Sequence, residues 1–379
     1  MRIHVLGGGL VGGPMARDLA GDDEHDVTVV DRDPAVLEAL AAQADVATRQ
    51  ADLASPAAVR EVIADADLVV GAVPGHLGFR TLEAVIDAGR NVVDIAFFPE
   101  DPFALDALAR ERGVVAVVDC GVFPGMGSAL IGRLHRKLDR LERVLVLVGG
   151  LPEVREWPWE YKAVFSPVDV IEEYTRPARY IEHGREVVRP ALSDPELVHL
   201  PGVGTLEAFN TDGLRTLVRT IGAPHMKEKT LRYPGHAEKM ALLRECGFFG
   251  TEPVDVGGQA VRPVDLTGRL LFPMWEMHEG EGDLTVMRIE VEGERKGQRL
   301  RYVYDLLDHA DLEHGVSSMA RTTGYTATMT ARLIAAGRFT RVGISPPEYL
   351  GAEFGLVDAL REGLEARGIF YREQVEVVS

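Results

Sequence analysis

Short, continuously apolar runs alternate with amphipathic stretches over the first 120 or so residues of the chain. The apolar runs are RIHVLG, DVTVVD, ADLVVGAV, NVVDIA and VVAVVDCG, with DVATRQA as a weaker candidate. Between them lie stretches such as PAVLEALAAQ and FRTLEAVIDAG, whose apolar positions recur at helical spacing. Strands that are apolar throughout are typical of a parallel sheet covered by helices on both faces. The pattern therefore predicts an α/β domain built on a doubly wound parallel sheet.

The pattern changes after about residue 125, where apolar and polar residues begin to alternate. LERVLVLVGG and LTVMRIEVEGERKGQRLRYVYDLL contain long alternating runs, and the second has a charged, Gly-containing turn in its middle. Such a turn between alternating runs indicates an antiparallel hairpin. We expect a second domain of α+β type here, with a mixed or antiparallel sheet.

The C-terminal part of the chain predicts helices again. SMARTTGYTATMTARLIAAG reads as a helix of small residues that ends at Gly337, followed by a Pro-Pro turn and a last helix. Small side chains permit close backbone approach, so we expect this tail to pack on the first domain. The expected domains are residues 1–124 with 316–379, and residues 125–315.

Composition and charge exclude several classes of function. A formal net charge of −18 argues against a broad nucleic-acid surface, which needs clustered Lys and Arg. No apolar run approaches the roughly 18 residues of a membrane span, and MRIHVLGGGL lacks the features of a signal peptide. Two cysteines and no metal-ligand spacing predict no metal site. We expect a cytoplasmic protein with no membrane or nucleic-acid partner.

A glycine fingerprint follows the first strand. VLGGGLVGGPMARDLA places Gly7, Gly9 and Gly12 as G-x-G-x-x-G, and the second strand ends at Asp31. In this context the glycines permit a tight turn, close approach of a pyrophosphate and close helix packing, while the carboxylate accepts hydrogen bonds from ribose hydroxyls. The pattern predicts a Rossmann-type site that prefers NAD over NADP. A glycine-rich turn that binds nothing and a flavin site are the alternatives.

Other residues of this site are expected at the ends of the remaining strands. GAVPGHLG follows the fourth predicted strand and is expected to lie along the nicotinamide side of the crevice. The residues expected to line the cofactor are Gly7, Gly9, Leu10, Val11, Gly12, Asp31, Arg32, Asp52, Ala72, Val73, Pro74 and Asp119.

Two acids emerge from the ends of apolar strands. Asp94 ends the run in NVVDIAFFPED, and Asp119 ends the run in VVAVVDCGVFPGMGS. A carboxyl group that loses solvent has a raised pKa, which suits proton transfer. We therefore name Asp94 and Asp119 as candidate catalytic residues. The alternative is that each acid only caps the turn that follows it.

Three stretches of the second domain mix aromatic, small polar and charged residues. They are WPWEYKAVFSP, LEAFNTDG and LRYPGHAEKM. Basic groups could hold a substrate carboxylate, hydroxyl groups could orient the substrate, and Lys162 or His236 could exchange a proton. Surface loops are the alternative for any one stretch. Lys162 is the third catalytic candidate, and the candidate substrate-binding residues are Tyr161, Thr211, Arg232, Tyr233, His236 and Lys239.

These segments carry a resemblance that spans nearly the whole chain. The sequence resembles the saccharopine dehydrogenase superfamily, and within it the L-lysine 6-dehydrogenase branch. The matching segments are VLGGGLVGGPMARDLA, VVDCGVFPGM, LVGGLP, WEYKAVFSPVDVIEEYTRPARYI, GTLEAFNTDGL, KTLRYPGHAEKM, MARTTGYTATMTARLI and GISPPE.

The resemblance implies NAD-dependent oxidation of an amine carbon of an amino acid. The ε-carbon of L-lysine would lose a hydride to nicotinamide, and hydrolysis of the imine would give the semialdehyde, which cyclises. One alternative is a reductase that reduces an imine to a secondary amine, as relatives making saccharopine or carboxynorspermidine do. Another is a dinucleotide sensor without catalysis. We also expect a homo-oligomer, with a dimer paired through the second domain.

Overall fold

The computed structural model describes residues 1–278 and 280–378. The chain divides into two compact units. The first comprises Met1–Arg136 and Ala320–Phe370, and the second comprises Lys137–Met319 and residues 371–378. No helix in these described ranges is both long enough and apolar enough to cross a membrane.

Strands and helices alternate from the N-terminus to the end of the first long segment. These elements are β1 (Arg2–Leu6), α1 (Gly12–Ala20), β2 (Asp26–Asp31), α2 (Pro34–Gln43), β3 (Ala47–Gln50), α3 (Pro56–Val62), β4 (Leu68–Gly71), α4 (Gly75–Asp87), β5 (Asn91–Asp94), α5 (Asp106–Arg112), β6 (Val115–Val117) and α6 (Met126–Lys137). A short 3₁₀ turn, Pro102–Leu105, precedes α5.

The middle of the chain is richer in strands. Its elements are β7 (Arg140–Pro152), α7 (Pro167–Thr175), β8 (Ala178–Glu182), β9 (Arg185–Arg189), β10 (Glu196–Leu200), β11 (Gly204–Asn210), α8 (Leu217–Thr220), β12 (His225–Arg232), α9 (His236–Glu245), β13 (Val254–Val256), β14 (Gln259–Val261), α10 (Pro263–Trp275), β15 (Asp283–Arg295) and β16 (Gln298–His309). The C-terminal elements are α11 (Ser318–Ala335), β17 (Gly343–Ser345), α12 (Pro347–Ala352), α13 (Leu356–Glu365) and β18 (Arg372–Val377).

The first unit contains a seven-stranded parallel sheet in the order β17-β6-β5-β4-β1-β2-β3. Its central strands are buried on both faces, as the continuous apolar runs predict. The strand order reverses between β1 and β4, which in a doubly wound sheet opens a crevice beyond the carboxyl ends of the strands. The predicted α/β fold class is confirmed.

The second unit contains a nine-stranded mixed sheet. Its main path is β10-β11-β12-β7-β15-β16-β18, with β8 and β9 joined to the side of β12. Among the strands in the described ranges, β12 and β7 pair in parallel and the other neighbouring pairs are antiparallel. The predicted hairpin is β15 and β16, joined at Lys296 and Gly297, which both have positive φ angles of 51° and 77°. A two-residue turn of this kind matches the twist of the strands it connects.

The predicted C-terminal helix is α11, and Gly337 follows it with φ of 65°. Within the first unit α11 packs closely on α1, since a Cβ on Gly324 would lie 2.8 Å from Met15 Cγ. Arg332 and Arg367 both bond the Asp18 carboxylate on α1. The expected packing of the tail on the first unit is therefore confirmed for these helices.

Two C-terminal strands differ from the sequence expectation. β17 adds a seventh strand beside β6, where the sequence predicts only a turn before the last helix. β18 pairs with β16 in the sheet of the second unit, although residues 316–379 were all expected in the first. β17 has only three residues, and β18 is mostly solvent-exposed. Neither strand therefore shows an apolar pattern long enough to identify it from the sequence.

Candidate active site

The glycine-rich loop of the first unit connects β1 to α1. Gly7 has φ of 102°, and a Cβ there would lie 2.6 Å from the Ala72 carbonyl oxygen. A Cβ on Gly12 would lie 2.0 Å from the Gly7 carbonyl oxygen. At Gly9, by contrast, an added Cβ would meet no protein atom within 4 Å. Packing explains two of the glycines, whereas the third keeps the loop open to a phosphate group.

Asp31 is fixed beside this loop. It ends β2, and its carboxylate accepts hydrogen bonds from the Gly8 N–H (2.8 Å) and the Asp33 N–H (3.0 Å). The side chain of Arg32 is exposed, and Leu10 is 63% exposed at the tip of the loop, next to the partly buried Val11. Open backbone at a helix N-terminus with an oriented carboxylate is the arrangement that holds a dinucleotide.

The structure brings only some of the other predicted cofactor residues to this loop. Ala72 follows β4, donates its N–H to the Leu6 carbonyl (2.9 Å) and lies against Gly7. Val73 is buried and Pro74 is exposed at the start of α4. Asp52 follows the edge strand β3 and is exposed, and its carboxylate accepts the Ala54 N–H (3.0 Å) within its own loop.

The two candidate acids lie at the ends of adjacent strands of the same sheet. Asp94 is 1% exposed, and its carboxyl group accepts the Ala96 N–H at 3.1 Å. Gly71 leaves it room, because a Cβ there would lie 2.0 Å from Asp94 Oδ1. Burial, together with the charge of Asp119, raises the pKa of Asp94 well above its ordinary value. The direction of this shift agrees with the position of Asp94 at the end of an apolar strand.

Asp119 is also buried, with a positive φ of 53° just after β6. The next residue links the two strand ends, since the Cys120 N–H donates to the Asp94 carbonyl at 3.0 Å. The Cys120 thiol is buried beside Thr330, and burial raises its pKa to about 12, so it is not a ready nucleophile. The catalytic roles of Asp94 and Asp119 stay predictions.

In the second unit, Arg232 is the centre of a buried polar network. It ends β12 and is 3% exposed. Its guanidinium donates to Tyr174 Oη (3.2 Å), to Glu173 Oε2 (3.0 Å) and to the Leu231 carbonyl (2.9 Å). Burial by itself lowers the pKa of Arg232, but the two tyrosines and the carboxylate around it outweigh burial and raise that pKa. Arg232 is therefore a permanent buried cation.

The network continues to His236, which begins α9 after a turn made possible by Gly235 at φ of 89°. His236 Nδ1 lies 3.0 Å from the Trp159 carbonyl oxygen, and Nε2 lies 2.9 Å from Tyr174 Oη. A carbonyl only accepts, so Nδ1 carries the hydrogen. Burial and the charge of Arg232 lower the pKa of His236 to about 3, so Nε2 is unprotonated and accepts the Tyr174 hydroxyl hydrogen. His236 is a neutral link in a one-directional chain of hydrogen bonds.

Tyr161 lies against this chain. Its ring centroid is 4.8 Å from the Arg232 guanidinium carbon, 5.1 Å from the His236 ring and 5.3 Å from the Trp275 ring. Burial raises the pKa of Tyr161 well above its ordinary value. Its hydroxyl group has no hydrogen-bond partner in the part of the chain that the structure describes. Tyr161, Arg232 and His236 are thus the predicted residues that the fold does bring together.

The side chains of the two candidate lysines are bound by acceptors of the second unit. Lys162 Nζ donates to the Glu276 carbonyl (3.1 Å) and lies 3.4 Å from carboxylate oxygens of both Glu156 and Glu281. Lys239 Nζ donates to the Pro158 carbonyl (2.6 Å). Both ammonium groups are therefore held by fixed acceptors.

Thr211 and Tyr233 lie away from the Arg232 network. Thr211 Oγ1 is 2.8 Å from Glu228 Oε2 and 2.7 Å from Thr230 Oγ1. Tyr233 donates to the Pro152 carbonyl (2.9 Å) and packs in the apolar cluster on the opposite face of the sheet from Arg232. Successive residues of an extended chain point to opposite faces of a sheet, so the side chain of Tyr233 is separated from that of Arg232.

Sequence reasoning missed several buried or partly buried polar residues of the second unit. Glu173 and Tyr174 lie at the end of α7, which begins with Pro167 and stops before Pro177. Glu228 is buried, and burial raises its pKa to about 8. Trp275 ends α10 and is 0% exposed. The one available signal was period-two spacing, which puts Glu228 and Arg232 on the same face of β12. No group of three or more His, Cys, Asp or Glu residues within 1–278 and 280–378 is arranged to hold a metal ion.

Comparisons with known proteins match both units. Residues 3–117 match the model of the saccharopine dehydrogenase NADP binding domain, and residues 117–369 match that of the saccharopine dehydrogenase C-terminal domain. The first unit is thus an NAD(P)-binding domain of Rossmann type.

Curated relatives are distant but extend over much of the chain. The mitochondrial alpha-aminoadipic semialdehyde synthase of Bos taurus is 23% identical over 447 aligned positions, covering 98% of this chain and 48% of the relative. Saccharopine dehydrogenase [NADP(+), L-glutamate-forming] of Saccharomyces cerevisiae is 27% identical over 260 positions, covering 65% of this chain and 58% of the relative. The chain spans about half the length of these curated relatives.

The solved structure of apo saccharopine dehydrogenase (L-Glu forming) from Saccharomyces cerevisiae has the same fold. It aligns with a TM-score of 0.80 and 19% identity, covering 99% of each chain. The family assignment rests on the two family models, which together cover residues 3–369. The shared fold and the nucleotide cradle agree with it. The chain belongs to the saccharopine dehydrogenase family.

Proposed function

We propose that the protein is an NAD(P)-dependent oxidoreductase that acts on the carbon–nitrogen bond of an amino acid, and that its substrate is the ε-amine of L-lysine. The observation that carries the proposal is the open glycine loop with its oriented Asp31, in a chain of the saccharopine dehydrogenase family. The preference for L-lysine rests on the segments through which the sequence resembles the lysine 6-dehydrogenase branch.

The residues of the first unit fit a dinucleotide. Gly9 and the N-terminus of α1 would hold the pyrophosphate, and Asp31 would accept hydrogen bonds from the adenosine ribose. When bound, the nicotinamide supplies a hydride acceptor. A carboxylate at this position repels a 2′-phosphate, which favours NAD. The names of the yeast relative and of the matching family model specify NADP, so the cofactor preference is part of the proposal.

The reaction removes a hydride from the amine carbon and a proton from the amine nitrogen, which leaves an imine. Water adds to the imine and ammonia leaves, giving the semialdehyde. Lysine is mostly an ammonium ion at neutral pH, so a base must first take a proton. Asp94 is the proposed base. Burial raises the pKa of Asp94, so its ionisation shifts to higher pH, and we expect activity to increase toward alkaline pH.

A second candidate is oxidation of the secondary amine of saccharopine, or its formation by imine reduction. The names of the yeast relative and of the structure with the same fold favour this candidate. A larger substrate with several carboxylates would be expected there. A dinucleotide sensor without catalysis is the alternative outside enzymes.

The test is formation of NADH or NADPH by the purified protein at mildly alkaline pH. The substrates are L-lysine, L-ornithine, 1,5-diaminopentane and saccharopine, each with NAD and with NADP. Turnover with L-lysine and NAD would support the proposal, and turnover with saccharopine alone would replace it with the second candidate. Dinucleotide binding without turnover of any amine, and without imine reduction in the reverse direction, would favour the sensor.

The assembly and location of the protein also stay predictions. A homodimer would be tested by light scattering, and a cytoplasmic location by cell fractionation.

A further inference from the structure

One edge of the nine-stranded sheet of the second unit is open. The last strand on its main path is β18, which pairs with β16 on one side. Within residues 1–278 and 280–378, no strand pairs with its other side. Five of its six residues are exposed, including Val375 (49%) and Val377 (69%). An open edge strand presents backbone groups that a strand of another chain can bind.

β18 lacks the features that protect the other sheet edges. Edge strands are commonly kept from pairing by short length, proline, lysine or a β-bulge. β18 is six residues long, contains no Pro, Gly or Lys, and keeps an unbroken register with β16. The other edge strands of the two large sheets are shorter, and a proline adjoins three of them. They are β3 (four residues), β17 (three, before Pro346), β10 (five, after Pro195) and β9 (five, before Pro190).

The register of β18 with β16 fixes which of its backbone groups point outward. The Val378 N–H donates to the Arg299 carbonyl oxygen at 2.9 Å, so these two residues form a hydrogen-bonded pair. In an antiparallel ladder such pairs alternate with pairs that are not hydrogen-bonded. The even-numbered residues of β18 therefore bond β16, and the N–H and C=O groups of odd-numbered residues, such as Val375 and Val377, face the open edge.

The side chains at the even-numbered positions favour one register for a second β18 strand. In an antiparallel pair centred on Gln374, Arg372 of each copy lies opposite Glu376 of the other. These are non-hydrogen-bonded positions, where facing side chains approach most closely. Among the described residues, Arg372 has no carboxylate within ion-pair distance, and Glu376 lies 3.6 Å from Arg301. Centring the pair on Val375 instead places Gln374 opposite Glu376 and makes no ion pair.

We propose that β18 is an interaction surface for a second copy of this chain, and that two copies pair antiparallel through β18 with Arg372 of each opposite Glu376 of the other. The twofold axis passes between the two Gln374 residues and joins two nine-stranded sheets into one. Because the charges of β18 are complementary to themselves in this register, the same strand serves both copies, as a twofold interface requires. Such pairing does not depend on which reaction the protein catalyses.

The first measurement is the molar mass of the full chain over a series of concentrations, by light scattering and analytical ultracentrifugation. One pair of strands is a small interface, so we expect a reversible dimer whose fraction rises with concentration. A monomer at every concentration up to about 100 μM would overturn the proposed pairing.

Charge variants test the register. Arg372→Glu brings like charges together at both contacts, and so does Glu376→Arg, so each should raise the dimer dissociation constant by about tenfold or more. The matched control is Arg189→Glu, which makes the same change of charge on β9, another exposed edge strand of this sheet. The control should leave the dissociation constant unchanged. An equal effect of Arg189→Glu would show that net charge controls association, and would overturn the assignment to β18.

Mixing the two single variants gives the sharpest test. In a mixed dimer of Arg372→Glu with Glu376→Arg, both contacts again join an acidic and a basic side chain. The mixed dimer should therefore form with a dissociation constant within about threefold of wild type, although each variant alone stays largely monomeric. Native mass spectrometry of differently tagged chains measures it. A mixture that associates no better than either variant alone would overturn the register.

Val375→Pro tests the backbone pairing. It removes an N–H that faces the open edge and none that bonds β16, so the dimer should be lost while the monomer keeps its melting temperature. Val375→Thr keeps this N–H and should still dimerise. If Val375→Pro fails to fold, the charge variants, which alter only exposed side chains, decide the question. A folded Val375→Pro with an unchanged dissociation constant would overturn pairing through β18.

Discussion

The nucleotide cradle of the first unit and the Arg232 network of the second use polar groups of different kinds. The cradle is made of backbone N–H groups and missing side chains, and its main residues lie between Gly7 and Asp31. The Arg232 network consists of side chains from four separate segments, between Tyr161 and Trp275. The cradle binds through shape at a strand-to-helix turn, whereas the network depends on packing of a sheet against helices.

This difference indicates which kind of substitution disrupts each region. A backbone site fails when an added atom fills its space, and little else in the protein needs to change. A buried charge network fails when one partner is removed, because the others are left in a low-dielectric interior without compensation. A substitution in the cradle is therefore expected to affect mainly binding, whereas a substitution in the Arg232 network is expected to affect mainly stability.

The largest expected effect is that of Arg232→Met. The variant leaves Glu173 and the Tyr174 hydroxyl without their donor, and we expect a loss of about 3 kcal/mol in the free energy of unfolding. Chemical denaturation of both proteins measures it. Arg2→Met is the matched control, because the Arg2–Asp67 pair is exposed and the midpoint should stay close to that of wild type. Equal midpoints for the two variants would contradict the importance assigned to the network.

Paired glycine variants should divide folding from binding in the cradle. Gly12→Ala places a Cβ 2.0 Å from the Gly7 carbonyl oxygen, and we expect a loss of about 1–3 kcal/mol in stability together with lost dinucleotide binding. Gly9→Ala meets no protein atom within 4 Å, so stability should be unchanged while the NAD dissociation constant rises at least about tenfold. Thermal unfolding and calorimetry measure the two effects. Normal NAD affinity in Gly9→Ala would remove the assigned role of the loop.

The buried carboxyl group of Glu228 gives the second unit a stability that falls as the pH rises. Burial raises its folded pKa to about 8, above the ordinary value of 4.5, so its contribution is complete below about pH 4.5 and is lost as the pH rises toward 8. Relative to Glu228→Gln, wild type should lose about 1.4 kcal/mol for each pH unit in that window. Chemical denaturation of both proteins at about pH 6, 7 and 8 measures how the difference in their free energies of unfolding changes with pH. If the stabilities of wild type and Glu228→Gln change equally with pH, the pKa of Glu228 is not raised by folding.

His236 should show a pH dependence of the opposite sign to that of Glu228. Its folded pKa is lowered to about 3 from 6.5, so the stability from its neutral form is complete above about pH 6.5 and is lost as the pH falls toward 3. In His236→Asn the amide can keep the bond to the Trp159 carbonyl but cannot gain a proton. The stability gap between the two proteins should narrow by about 1.4 kcal/mol per pH unit below 6.5. A gap that does not change between neutral and mildly acidic pH would refute the assigned tautomer and charge.

The sequence by itself determined the parts of this protein that depend on neighbours along the chain. The strand and helix alternation of the first unit, the β15–β16 hairpin and the end of α11 before Gly337 follow from local spacing and turn chemistry, and all are confirmed. Gly7, Gly12 and Asp31 lie where a strand-to-helix turn requires them. Local patterns persist in the fold because the interactions that produce them span only a few residues.

Only the tertiary structure decided which polar side chains of the second unit meet. Arg232 and Tyr233 are adjacent in sequence but face opposite sides of the sheet, while Arg232 meets Tyr174 from a helix 58 positions away along the chain. The same applies to β17 and β18, whose partners are distant in sequence. A residue's partner across such distances is set by sheet order and helix packing, which no local pattern of hydrophobic and polar positions specifies.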